Sequence, residues 1–410
     1  MSEVKPADPR SAVGDTSSEE GLRALLADVV ESLSLLPRLP TSRGERLAAE
    51  LIRDRLERLG CRAEVEDVPA YRSYQWPIGV LCGFAALAGL AARRRRLPAV
   101  IGGVALAGMA DDITGGPMLA RRLLMRARKA ANVIAETGDP RGRRTLVVLV
   151  HHDAAPSGVV FGQQLERWFA RRYPAAVERM TSNPSLWWPV LAGPGLVAFG
   201  GLLRRPVIRR TGIALSALSV AAMTDIGTRP AVPGANDNLS GVAAAVALAA
   251  VFQERPVAGL RVLLVSAGAE EALQQGMRGF AARHFGHLPV TSTSFLTLDA
   301  IGSGRLVLLE GEGPIRMHLY QEAFKDLVAS CASESGVTVL RGLRSHSSTD
   351  GCVPSRHGYP NATIVSLDEA KLIPHYHQDS DLPEHLDYGS VVDAVRLAEA
   401  VARRLATTGS

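Results

Sequence analysis

The stretch 236–271, NDNLSGVAAAVALAAVFQERPVAGLRVLLVSAGAEE, decides the fold class. From Ser240 to Phe252 it is almost wholly Ala, Val and Leu with no Pro, which predicts a buried helix over 240–254. RVLLVSAG at 261–268 is then apolar without alternation, as a strand covered on both faces must be. TLVVLV at 145–150 and TSFLTLDA at 293–300 have the same character. Buried strands alternating with a helix predict an α/β fold, a mostly parallel mixed sheet flanked by helices.

Working outward, the spacing of Leu22, Leu25, Leu26, Val29, Val30 and Leu33 predicts an amphipathic helix over 21–36, behind a polar, disordered tail at 1–20. A second helix is expected over 42–59, capped by Ser42 with Glu45 three residues on and stopped by Gly60. CRAEVEDV (61–68) and ANVIAE (131–136) read as strands. With 47% hydrophobic and 21% charged residues, the 410-residue chain can bury a large core, and general disorder is excluded. A net charge of +5, from 46 basic and 41 acidic residues, is too mild to predict a nucleic-acid partner. Cys61, Cys82, Cys331 and Cys352 form no CxxC pair, which excludes a disulfide scaffold and a Cys-ligated zinc ribbon. A pairing of Cys331 with Cys352 stays open. The N-terminus lacks the apolar stretch of a signal peptide.

Two regions break the α/β pattern. PIGVLCGFAALAGLAA (77–92) and LPAVIGGVALAGMA (97–110) carry no charged side chain and are joined by four arginines at 93–96. LWWPVLAGPGLVAFGGLL (186–203) and TGIALSALSVAAMT (211–224) likewise flank the basic joint RRPVIRR. They predict two inserted hydrophobic helical hairpins with arginine tips. Membrane association through 77–110 and 186–224 is the expectation, with the positive-inside rule placing the tips in the cytoplasm. Two runs are only 14 residues long, short of the roughly 17–25 of a crossing helix, so a soluble four-helix cap over the active site, in a cytoplasmic protein, stays as the alternative.

Each core strand runs into polar residues: TLVVLV into His151, His152 and Asp153, RVLLVSAG into Glu270 and Glu271, TSFLTL into Asp299. In an open parallel sheet ligands bind at the carboxyl ends of the strands, so these side chains should converge. Asp237 stands just before the helix at 240–254, and His377 lies in PHYHQDSD. Taken singly, each has an ordinary reading as a strand-end hydrogen bond, a helix cap, a solvated turn or a surface histidine. Taken together, two imidazoles and three carboxylates suit a pair of zinc ions sharing a bridge, with a spare glutamate as proton acceptor.

In order and type these motifs resemble the di-zinc aminopeptidases that share the catalytic domain of glutamate carboxypeptidase and the transferrin receptor. The matching elements are His151-His152-Asp153, Asp237-Asn238-Leu239-Ser240-Gly241, Glu270-Glu271, Leu298-Asp299 and Tyr376-His377, followed by HQDSDLPEHLD. PRLPTSRGERLAAELIRDRLERLG is similar to the family's leading helix. The likeness spans about 21–74, 127–153 and 230–405, the expected catalytic domain, with insertions at 75–126 and 154–229.

The resemblance implies one zinc on His151 and Asp299, the other on Glu271 and His377, and Asp237 bridging. It makes Glu270 the general base and Asp153 the partner that orients His151, with a cis peptide at Asp237–Asn238. The implied activity is hydrolysis of peptide bonds in a peptide or small amide substrate, by release of N-terminal residues. An amidase or carboxypeptidase on the same metals, a glutaminyl cyclase-like enzyme and a non-catalytic membrane scaffold remain alternatives. The sequence departs from the family at Ala154, at ALQQGMRG after Glu271, and at Thr349-Asp350-Gly351, which puts specificity rather than metal binding in doubt. The oligomeric state is not legible.

Overall fold

The computed structural model describes residues 18–91, 96–183 and 185–407. Most of the expected tail, through residue 17, lies outside them. Helix α1 (Glu19–Ser34) starts two residues ahead of the expected position, because the Ser18 hydroxyl accepts from the Gly21 amide. Ser42 caps α2 (Arg43–Arg58) in the same way by accepting from Glu45 N.

Eight strands make one sheet: β1 (Arg62–Ala70), β2 (Arg128–Gly138), β3 (Arg144–His151), β4 (Leu260–Ala267), β5 (Thr293–Leu298), β6 (Arg305–Leu308), β7 (Val339–Leu340) and β8 (Asn361–Leu367). Their order is β1-β2-β4-β3-β5-β8-β6-β7. The centre, β4-β3-β5-β8, is parallel, and β1, β2 and β6 pair antiparallel outside it. The sequence reading missed β6, β7 and β8.

The remaining long helices are α3 (Gln75–Leu90), α4 (Arg96–Ile113), α5 (Trp187–Leu202), α6 (Pro206–Thr228), α7 (Ser240–Glu254), α8 (Gln275–His284), α9 (Glu322–Glu334) and α10 (Tyr388–Thr407). The helix of the deciding stretch, α7, is buried at every residue from Ser240 to Phe252. Its alanines let it lie close to the sheet between α1 and α10, in a core with Leu26, Val148 and Val395. On the opposite face Met277 and Phe280 of α8 cover Val147, Leu149 and Phe295. Helix, sheet and helix therefore form three layers.

The two apolar insertions do not stand as separate hairpins. Helices α3, α4, α5 and α6 pack as one four-helix bundle, with α6 against α3 and α4 against α5 across the two insertions. Its base joins the sheet domain through Tyr74, Ile78, Phe161, Val190, Ile226 and Leu273. All four cysteines are free and buried, so Cys331 and Cys352 are unpaired.

Candidate metal centre

Adjacent parallel strands deliver three groups to one edge of the sheet. β3 ends at His151; β4 turns through Ala269, at φ 51°, into Glu270 and Glu271; β5 hands on to Asp299. Asp237 enters from the loop that opens α7, where the Asp237–Asn238 peptide is cis, as the resemblance implied. His377 comes from a turn in which Tyr376 stacks on its ring at 3.8 Å and Phe161 meets it edge-on at 4.5 Å.

The five expected ligands converge. His151 Nε2 lies 3.3 Å from Asp237 Oδ1 and 3.8 Å from Asp299 Oδ1. His377 Nε2 lies 3.4 Å from Asp237 Oδ2 and 3.2 Å from Glu271 Oε2. The two oxygens of Asp237 thus face opposite ways, one toward each histidine. Donor separations of this size match the edge of about 3.4 Å in a tetrahedron with bonds near 2.0–2.1 Å. Three donor triads emerge among the described residues: His151–Asp237–Asp299 and Asp237–Glu271–His377, which share Asp237, and His151–Glu270–Glu271.

Charge makes the same demand. Asp153, Asp237, Glu270, Glu271, Asp299 and Asp350 gather around two imidazoles with little solvent. Burial pushes Glu270, Glu271 and Asp350 above the carboxylate range and Asp299 to about 7. Burial alone would lower His377, but Glu271 and Asp237 hold it at about 10. Burial would raise Asp237, yet the two facing histidines keep it below its usual range. His151 Nε2 and Glu271 Oε1 are buried with no hydrogen-bond partner. Divalent cations would satisfy those atoms and neutralise the excess of carboxylates, and a histidine–carboxylate set suits zinc.

A further layer fixes the ligands. The Asp153 carboxylate accepts from the amides of both Glu270 and Glu271, each at 3.0 Å, which ties the end of β3 to the turn after β4. Its expected partner, His151 Nδ1, lies 3.3 Å from the Asp153 carbonyl and 3.5 Å from the carboxylate, so Asp153 positions two strand ends as well as one ring. Asn238 reaches across to β5, donating to the Leu298 carbonyl and accepting from Ala300 N. Asp381 accepts from the amides of Asn236 and Asp237. Arg38, wholly buried, donates to the carbonyls of His152, Leu33, Pro233 and Gly234, and joins the His151 segment to the Asp237 loop.

Sequence reasoning gave no role to Arg38, Asp381, Gln274 or Asp350. Arg38 and Asp381 lay inside stretches already matched to the family, so the signal was present. Gln274, from the departing ALQQ, donates to Glu270 Oε1 at 3.3 Å and to Ser348. Both carboxylate oxygens of Asp350 are buried without a partner, among the charges of His151, Asp153, Asp299 and Glu312.

Fold and donor set together define a candidate zinc centre at the end of an α/β sheet. Residues 219–402 match peptidase family M28, which is the family recognised from the motifs. That span holds Asp237, Glu270, Glu271, Asp299 and His377, while His151 and Asp153 join them through β3. Among solved structures, a Zn-dependent exopeptidase from Parabacteroides distasonis superposes with a TM-score of 0.53 at 14% identity, covering 95% of this chain and 99% of its own. An aminopeptidase from an Aneurinibacillus species gives 0.53 at 15% identity, covering 96% and 94%. A glutaminyl cyclase from Bacteroides thetaiotaomicron gives 0.54 at 15%, covering 98% and 99%. At these identities the likeness concerns the fold. The comparison with curated proteins finds no significant match.

Proposed function

We propose that the protein hydrolyses peptide bonds at a pair of zinc ions and releases N-terminal residues. The observation that carries this reading is Asp237, whose two oxygens face His151 on one side and His377 on the other. His151, Asp237 and Asp299 would hold one ion, and Asp237, Glu271 and His377 the second. When bound, the ions supply acidification of a water and stabilisation of negative charge at the scissile carbonyl.

The chain's own groups do the rest. Glu270 is buried and stands outside the two triads that share Asp237, and burial raises its proton affinity. It is placed to take the proton of the attacking water and pass it to the leaving amine. Gln274 holds one of its oxygens, and Asp153 fixes its backbone. The aminopeptidase and exopeptidase among the similar folds favour an exopeptidase, and the cyclase among them sets the control assay.

The test is zinc content measured beside turnover of aminoacyl anilides, N-blocked peptides, C-terminal substrates and glutaminyl peptides. Two zincs per chain with hydrolysis confined to free N-termini is the expected result. One zinc with cyclisation of the glutaminyl peptide would replace the reading.

A further inference from the structure

The bundle α3–α6 has its residue sizes reversed from those of a soluble bundle. On α3, Cys82, Ala85 and Gly89 turn inward, while Phe84, Leu87 and Leu90 face outward, 56–67% exposed. On α4, Gly102 and Ala105 are inside, and Val100 and Val104 are outside at 59% and 62%. On α5 and α6, Gly193, Gly200 and Gly212 are hidden, whereas Phe199 and Leu218 are exposed. Glycines bring the backbones so close that a Cβ on Gly212 would stand 2.5 Å from Val197 N, and one on Gly102 2.7 Å from the Pro194 carbonyl. A surface helix in water keeps its polar face outward and its large apolar groups inside. Small residues at the seams and large apolar ones outside suit helices packed in hydrocarbon.

Length and charge agree. At 1.5 Å per residue the four helices span about 24–35 Å, against roughly 30 Å for a bilayer's hydrocarbon. The shortness of the uncharged runs is made up by the helices themselves, since α4 begins at Arg96 and α6 contains Arg209 and Arg210. Those arginines, with the exposed Arg204 and Arg205, lie at the end far from the catalytic domain, where long stems can reach head groups. At the near end, exposed Trp76 and Trp188 stand where an aromatic belt would lie. The apolar surface occurs on all four helices rather than on one face, which fits a surrounding solvent better than a one-sided partner.

We propose that α3–α6 form one integral bundle in a lipid bilayer, with the catalytic domain against one surface and Arg96, Arg204, Arg205, Arg209 and Arg210 among the opposite head groups. The proposal is independent of the peptidase reading.

Fractionation of cells expressing the full chain tests it. The protein should remain with membranes through high salt and alkaline carbonate, leave only in detergent, and enter vesicles of phosphatidylcholine and phosphatidylglycerol on reconstitution. Replacing three exposed residues together, Leu87→Arg, Val104→Arg and Leu218→Arg, should lower the membrane-bound share roughly ten-fold, because charge at mid-bilayer opposes insertion. A wild-type chain that is monodisperse without detergent overturns the proposal in favour of a soluble cap. So does a detergent-free dimer whose bundle is shielded from labelling, with a second copy as the cover. Release by salt alone overturns insertion in favour of surface attraction.

Discussion

Glu270 and Glu271 are neighbours in sequence to which the proposed reaction gives opposite duties, and their surroundings differ accordingly. Glu271 Oε2 points at His377 Nε2, whereas Glu270 is hydrogen-bonded by Gln274. Glu270→Gln should therefore keep both zincs and lower kcat by about 10²–10⁴-fold, read by metal analysis beside turnover. Glu271→Gln should lose zinc affinity first. If Glu270→Gln works at the wild-type rate, the base lies elsewhere. Asp237→Ala should drop zinc content at both sites together, since both triads of the proposed zinc pair include it. A variant still holding two ions tightly would leave Asp237 a helix cap. Four of the five expected ligands were legible because each ends or follows a predicted strand or opens a predicted helix, and His377 was picked out of the loop PHYHQDSD. Arg38 and Asp350 were given no role although both lay in stretches compared with the family, because an arginine in a loop and an aspartate in a turn carry no local sign that they will be buried.

The secondary-structure elements show where sequence reading gains and loses. α7 and the strands β3, β4 and β5 were found from continuous apolarity, the pattern that burial on both faces imposes. β7 is two residues long, too short to show any period. The hydrophobic hairpins were visible, but their union was weighed only as the four-helix cap of the alternative reading, because contacts between distant segments leave no mark in either one. That union rests on glycine seams, which gives a prediction with its own control. Gly212→Leu should force α5 and α6 apart and cost about 1–3 kcal/mol, seen as a lower Tm of the detergent-solubilised protein. Gly103→Ala, with nothing within 4 Å of its Cβ, should be neutral or slightly stabilising. Equal effects at the two positions would mean that the seams do not hold the bundle.

At the scale of the whole molecule, the buried carboxylates tie stability to metal and pH. Without metal, Asp299 at about 7 folds with a proton that its unfolded form, near 3.8, gives up earlier. Its ionisation therefore costs stability increasingly as pH rises from about 4 to about 7. His377, raised to about 10 from 6.5, adds stability that is complete below about 6.5 and is lost as pH climbs toward 10. Both effects point the same way, so chelator-treated protein should melt at lower temperature as pH rises. Zinc needs deprotonated ligands, so its stabilisation should grow over the same range. Melting curves with zinc and with chelator between about pH 5 and pH 9 should therefore diverge, and curves that converge would contradict the assignment. One feature of the core reaches beyond the folded molecule. The segment Ala235–Glu254 is as apolar as a membrane span, yet it ends wholly buried in the catalytic domain. It leaves the ribosome directly after α6, before β4 exists to cover it. If α3–α6 enter a membrane, the translocation machinery must accept α6 and refuse α7 a few residues later. Substitutions that slow closure of the sheet over α7 would then be lost to mis-sorting and proteolysis during synthesis, even where the finished protein is stable enough to work.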